Sequence, residues 1–143
     1  MAGEIVLGYA GDEGSRAALQ TAVAIAGAFK RPIVIAFGYA PAAIGGEVAD
    51  LSRAVEELGE KMGAEAVALA HSIDASVAVN VELVNDHPAE AILRAADQYD
   101  ALAIVVGAAG TGPIRGTLLG SVTYQVVHRS TRPVVVVPTP EPS

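Results

Sequence analysis

Residues 101–122 read ALAIVVGAAGTGPIRGTLLGSV, and the order of residue types in that stretch decides the fold. Ala101 to Val106 is an unbroken small-aliphatic run with no polar alternation, which is the pattern of a strand covered on both faces. Gly107 to Leu119 is a glycine-rich loop. Ser121 to His128 follows with Val122, Val126 and Val127 at helical spacing. A buried strand that leaves through a glycine loop into a helix is the repeating unit of a parallel α/β sheet.

Working outward from this unit, the same alternation recurs. Towards the C-terminus, Arg132-Pro133 ends the helix, Val134 to Val137 is a last strand, and residues 139–143 (TPEPS) read as a Pro-rich tail. Towards the N-terminus, Asp86-His87-Pro88 opens a helix whose buried side holds Ile92, Leu93, Ala95 and Ala96. Before it, Ala75 to Val84 alternates apolar and polar, as expected of a strand at a sheet edge. Val48, Leu51, Val55, Leu58, Met62 and Leu69 predict one face of a long helix ending near His71. Ile33 to Tyr39 is a buried strand followed by a Pro/Gly loop over Ala40 to Gly46. Ser15 to Lys30 reads as a helix with Ser15 as its N-cap, and Glu4 to Ala10 as the first strand. The expected architecture is a doubly wound, Rossmann-like α/β domain over residues 1–138. Its five parallel strands take the order 3-2-1-4-5, with helices on both faces. Ligands of such sheets sit beyond the carboxyl ends of the strands where the order reverses. That crevice lies between the loops after Ala10 and after Val106.

Composition agrees with a single core and removes several functions. The 143 residues are 52% hydrophobic and 17% charged, with only 2 Phe and 4 Tyr, so the core must be built from Ala, Val, Ile and Leu. The absence of cysteine excludes a disulfide framework, a thiol nucleophile and cysteine-ligated metals. The longest uncharged stretch, Pro32 to Gly46, is shorter than the ~20 apolar residues of a membrane helix and is broken by Pro and Gly. Met1-Ala2-Gly3-Glu4 lacks the basic start of a signal peptide, so a cytoplasmic protein is expected. With 9 Lys+Arg against 16 Asp+Glu, the net charge of −7 repels phosphate backbones, so neither nucleic acid nor membrane is an expected partner.

The chemistry concentrates in the spacing Gly107-x2-Gly110-x9-Gly120-Ser121. A side chain at Gly107 would block close approach of a ligand to the strand end. Gly110 can take φ > 0 and turn successive N–H groups into an anion nest. Gly120-Ser121 opens a helix whose first N–H groups, positive dipole end and hydroxyl face one spot. These are the parts of a phosphate site, although a glycine-rich chain also places glycines in ordinary loops. The Walker motif is absent, because Lys30 and Lys61, the only lysines, lie on helices away from the loop. No Gly-x-Gly-x-x-Gly follows the first strand either, and Gly11-Asp12-Glu13-Gly14-Ser15 matches a nucleotidyl-transferase loop only loosely. His71, His87 and His128 have no metal-ligand spacing and suit helix ends. Arg115 is placed to meet a γ-phosphate, and Asp12 and Asp86 to assist Mg²⁺, beside the commoner reading of each as a solvated loop group. No catalytic residue and no protein metal site is expected.

At Gly107, Gly110, Gly120 and Ser121 the sequence resembles the nucleotide-binding branch of the universal stress protein family, and the resemblance runs from IVLGYAGDEGS to RPVVVVP. It implies adenine-nucleotide binding, ATP with Mg²⁺ where hydrolysis is slow or absent, a regulatory role in stress response, and a homodimer formed through Val134–Val137. It places Gly107 and Gly110 beside ribose and phosphates, and Gly120, Ser121 and Val122 at the phosphates. Two positions depart from the family pattern. Ala10 stands where an aspartate usually holds the nucleoside, with Asp12 two residues on as a substitute. Gly38 stands where a larger apolar residue usually packs near the adenine. The resemblance therefore leaves the phosphate half intact and the nucleoside half altered. A slow ATP hydrolase or phosphotransferase, and an interaction module of the same fold without ligand, are the alternatives. The lack of an evident base or catalytic lysine opposes the first, and the intact glycine loop opposes the second.

Overall fold

A computed structural model of the chain describes residues 3–39, 48–108 and 119–139, with the side chains of 48–52 excepted. The elements alternate as β1 (Ile5–Gly8), α1 (Glu13–Phe29), β2 (Ile33–Tyr39), α2 (Val48–Ile73), β3 (Val79–Asn85), α3 (Pro88–Gln98), β4 (Ala103–Gly107), α4 (Ser121–Arg129) and β5 (Val134–Val137). All neighbouring strands pair in parallel, in the order β3-β2-β1-β4-β5. The expected doubly wound architecture and strand order are therefore observed.

The period of two along each strand divides the core. Ile5, Leu7, Ile33, Ile35 and Val105 face α1 and α2, where they meet Leu19, Val23, Ala66 and Ala70. Val6, Val34, Ala36, Ile104 and Val106 face the other way, onto Ile92, Ala95 and Ala96 of α3 and Val126 of α4. Ile5, Val6 and Leu7 are fully buried, as the central strand of a covered sheet requires. Each such side chain contributes about 1.5–3 kcal/mol of burial free energy.

Several local expectations are corrected. Asp12, not Ser15, is the N-cap of α1, and its carboxylate accepts the Ser15 N–H at 2.8 Å. β1 stops at Gly8 rather than Ala10, and a Cβ on Gly8 would stand 2.6 Å from Ile92 Cδ1. Helix α1 stops at Phe29 because Lys30 takes the left-handed conformation, φ 55°, and its N–H returns to the Ala26 carbonyl. β3 begins at Val79 instead of Ala75. Asp74 captures the chain first: its carboxylate accepts both the N–H and the hydroxyl of Ser76, and its carbonyl accepts the Val77 N–H. The packed face of α2 also differs from its aliphatic stripe. Gly59, Gly63, Ala66 and Ala70 meet the sheet, whereas Leu58 is 53% exposed. A Cβ on Gly59 would lie 2.9 Å from Phe37 Cε1, and one on Gly63 2.9 Å from Val81 Cγ1, so the glycines let the helix axis close onto β2 and β3. The loop over Ala40 to Gly46 lies outside the described residues, as does the tail after Thr139.

Candidate functional site

The strand order reverses between β1 and β4, and the starts of α1 and α4 converge on the carboxyl ends of these two strands. A Cβ on Gly107 would lie 3.0 Å from the Gly14 carbonyl oxygen in the first turn of α1. Gly107 is thus favoured by tight packing against α1 as well as placed at the crevice. Its carbonyl accepts the Thr123 hydroxyl, which ties the first turn of α4 to the end of β4. The next residue holds both ends of the glycine loop together: the Ala108 N–H donates to the Val137 carbonyl at 2.8 Å, and the Ala108 carbonyl accepts the Gly120 N–H at 3.0 Å.

Gly120 is the N-cap of α4 in an extended conformation, φ −60° and ψ 155°, with no side chain to cap the helix and no acid in the first turn. Helix geometry leaves the N–H groups of Ser121, Val122 and Thr123 without intrahelical carbonyls. Ser121 is exposed and Val122 half-buried, so the start of α4 presents backbone donors, a hydroxyl and the positive end of the dipole outward. Gly107, Gly120, Ser121 and Val122 are brought together as the sequence spacing requires. Gly110 and Arg115 lie outside the described residues.

The β1–α1 turn is differently built. Ala10 has an exposed side chain, and its N–H donates to the buried Ser15 hydroxyl at 2.8 Å. Asp12 is turned into its own helix as the cap. Gly11 has φ +80°, a left-handed conformation that suits glycine, and the Met62 methyl lies 3.2 Å from where its Cβ would stand. Tyr9, just before this turn, is buried in the core cluster, and burial pushes its phenol above the ordinary value. Gly38 points to α3: a Cβ there would be 2.7 Å from Pro88 Cα and 2.8 Å from Ala91 Cβ. Its missing side chain is explained by the approach of α3.

The remaining candidate groups lie at helix ends or in local pairs. Asp86 accepts the His87 N–H and pairs with Arg94, and these hold its carboxyl below the usual range, the His87 N–H having the larger effect. His71 lies in the last turn of α2, His87 caps α3 through its backbone position, and His128 stacks on Tyr124 with ring centroids 5.7 Å apart. Among the described residues, no three His, Asp or Glu side chains are grouped to hold a metal ion. Sequence reasoning missed Thr123 and misassigned Ser15, the two buried polar side chains of the described core. Each is the third residue of its helix; Thr123 ties α4 to the end of β4, and Ser15 ties α1 to the turn two residues beyond β1. The signal for Ser15 was Asp12-x-x-Ser15, a cap spacing.

The molecule is a doubly wound α/β domain whose switch point carries one helix start capped by its own Asp12 and one whose N-cap, Gly120, has no side chain. The chain belongs to the universal stress protein family, whose family model matches residues 1–138. No curated protein matches it. Solved structures do. A universal stress protein in complex with cAMP is 28% identical, with a TM-score of 0.74 over 98% of this chain and 100% of that one. Universal stress protein UspA from Lactobacillus plantarum is 20% identical, with a TM-score of 0.79 over 96% and 99%. The Archaeoglobus fulgidus universal stress protein in complex with dAMP is 19% identical, with a TM-score of 0.68 over 94% and 97%. Among the described residues, no helix is long and apolar enough to cross a membrane.

Proposed function

We propose that this chain is a cytoplasmic, ATP-binding regulatory protein of the stress response, which holds the nucleotide by its phosphates at the start of α4 and turns it over slowly or not at all. The observation that carries this reading is the uncapped, acid-free helix start at Gly120-Ser121-Val122, fixed to the ends of β4 and β5 through Ala108. Helix starts of this kind accept phosphate oxygens from backbone N–H groups. The relatives in complex with cAMP and dAMP support an adenine nucleotide. With no acidic cluster among the described residues, Mg²⁺ would arrive on the phosphates. Calorimetric titration of the purified chain with ATP and Mg²⁺ is expected to show saturable binding that Gly120→Val removes. Unchanged affinity in the variant would mean that the phosphates lie elsewhere.

A homodimer through Val134–Val137 belongs to the same proposal. β5 is an edge strand, paired to β4 on one side, with Val134, Val135 and Val136 only half-buried. Tyr124 and Val127 of α4 are exposed on the helix that precedes it. Among the described residues no strand pairs with the outer edge of these four valines, and a second copy would cover it. Light scattering at micromolar concentration is expected to give twice the chain mass, and a monomer there would refute the dimer.

A further inference from the structure

The chain has no cysteine and two methionines, and Met62 on α2 is the one sulfur among the described residues. Its side chain is half-buried and laid against the β1–α1 turn. The three atoms nearest to a Cβ built on Gly11 all belong to Met62: the methyl at 3.2 Å, the sulfur at 3.6 Å and Cγ at 3.8 Å. Gly11 is the left-handed residue of that turn, φ +80°. It stands between Ala10, whose N–H donates to the Ser15 hydroxyl, and Asp12, whose carboxylate caps α1. α2 therefore meets the turn through an unbranched thioether resting on a residue without a side chain.

The helix that carries this thioether is seated closely on the sheet. Gly63, the next residue, has Val81 Cγ1 2.9 Å from its Cβ position, and Gly59, about one helical turn earlier, has Phe37 Cε1 at the same distance. α2 is thus fixed on both sides of Met62, and a change at the sulfur falls on the turn rather than on the helix. An oxygen added on the Gly11 side pushes the turn away. One added on the solvent side brings a polar, hydrated group to a contact that is apolar now.

We propose that Met62 is a redox-sensitive latch on the β1–α1 turn, released when a hydroperoxide oxidises its thioether to the sulfoxide. A sulfur lone pair attacks one peroxide oxygen, the S–O bond forms as the O–O bond breaks, and the departing oxygen keeps the proton. With hydrogen peroxide the products are the sulfoxide and water, sulfur being oxidised and peroxide reduced by two electrons. The turn borders the crevice between β1 and β4, so a chain without cysteine carries an oxidant-responsive contact at the edge of its candidate site. The latch is independent of whether a nucleotide binds there.

The test treats the full chain with hydrogen peroxide and locates added oxygen by peptide mass mapping, which separates Met62 from Met1. One oxygen on Met62 is expected to lower the melting temperature by about 4 °C. Amide hydrogen exchange over residues 9–13 is expected to quicken about tenfold. Reduction by the two stereospecific methionine sulfoxide reductases should return both to the starting values. Met62→Leu keeps an apolar side chain of similar size and should show neither change under peroxide, which assigns the effect to this sulfur. Met62 left unoxidised where free methionine is fully oxidised would overturn the proposal. So would an oxidised chain with unchanged melting and exchange, a fall that the reductases do not reverse, or the same fall in Met62→Leu.

Discussion

Gly38→Val is expected to destabilise the fold by about 3 kcal/mol, the upper part of the range for overpacking a filled core. The new Cβ alone would stand 2.7 Å from Pro88 Cα, 2.8 Å from Ala91 Cβ and 3.0 Å from the Asp86 carbonyl oxygen. Two of these three atoms are backbone, so no side-chain rotation relieves the contact. α3 has to lift from β2, which uncovers Ala36, Ala89 and Ile92 on the same face. For a chain of this length the loss corresponds to a fall in melting temperature of about 10 °C, measurable by circular dichroism. Gly38→Ala should share much of the fall, because the clash begins at Cβ. A melting temperature within about 2 °C of the parent for Gly38→Val would show that α3 yields freely, and that packing does not exclude a larger apolar residue at this position.

That difference illustrates what the residue pattern could carry. The β4–loop–α4 unit was legible because strand, glycines and helix start are contiguous in 101–122, and each step follows from local chemistry. The strand order was legible because buried runs and crossover lengths leave few arrangements. Gly38 was not, since the atoms that exclude its side chain come from Asp86, Pro88 and Ala91, some fifty residues away. The packed face of α2 failed for a related reason. A hydrophobic stripe predicts which residues prefer burial, but Gly59 and Gly63 set the helix closer to the sheet than Leu58 can follow. At the β1–α1 turn, Ser15 and Asp12 are both competent caps, and only the three-residue geometry assigns the carboxylate to the cap and the hydroxyl to the Ala10 N–H. Periodicity therefore located the crevice, while the division of labour between its two helix starts needed coordinates.

Ser121→Asp is expected to move stability and ligand binding in opposite directions. Ser121 is the first residue of α4, exposed, in a first turn that holds no acid and follows an N-cap with no side chain. A carboxylate there meets the positive end of the dipole, which should raise stability by about 0.3–1 kcal/mol. The same carboxylate occupies the donors that a phosphate needs and adds like charge beside it. ATP affinity should fall at least about thirtyfold, roughly 2 kcal/mol. Ser121→Ala removes one hydroxyl hydrogen bond and should cost about 1 kcal/mol, near fivefold in affinity. The ordering matters more than either value, because general damage to the fold would lower stability and affinity together. A more stable protein that no longer binds ATP is the signature of a phosphate held at the start of α4. Affinity unchanged in Ser121→Asp would place the phosphates away from that helix, whatever the glycine spacing of the loop.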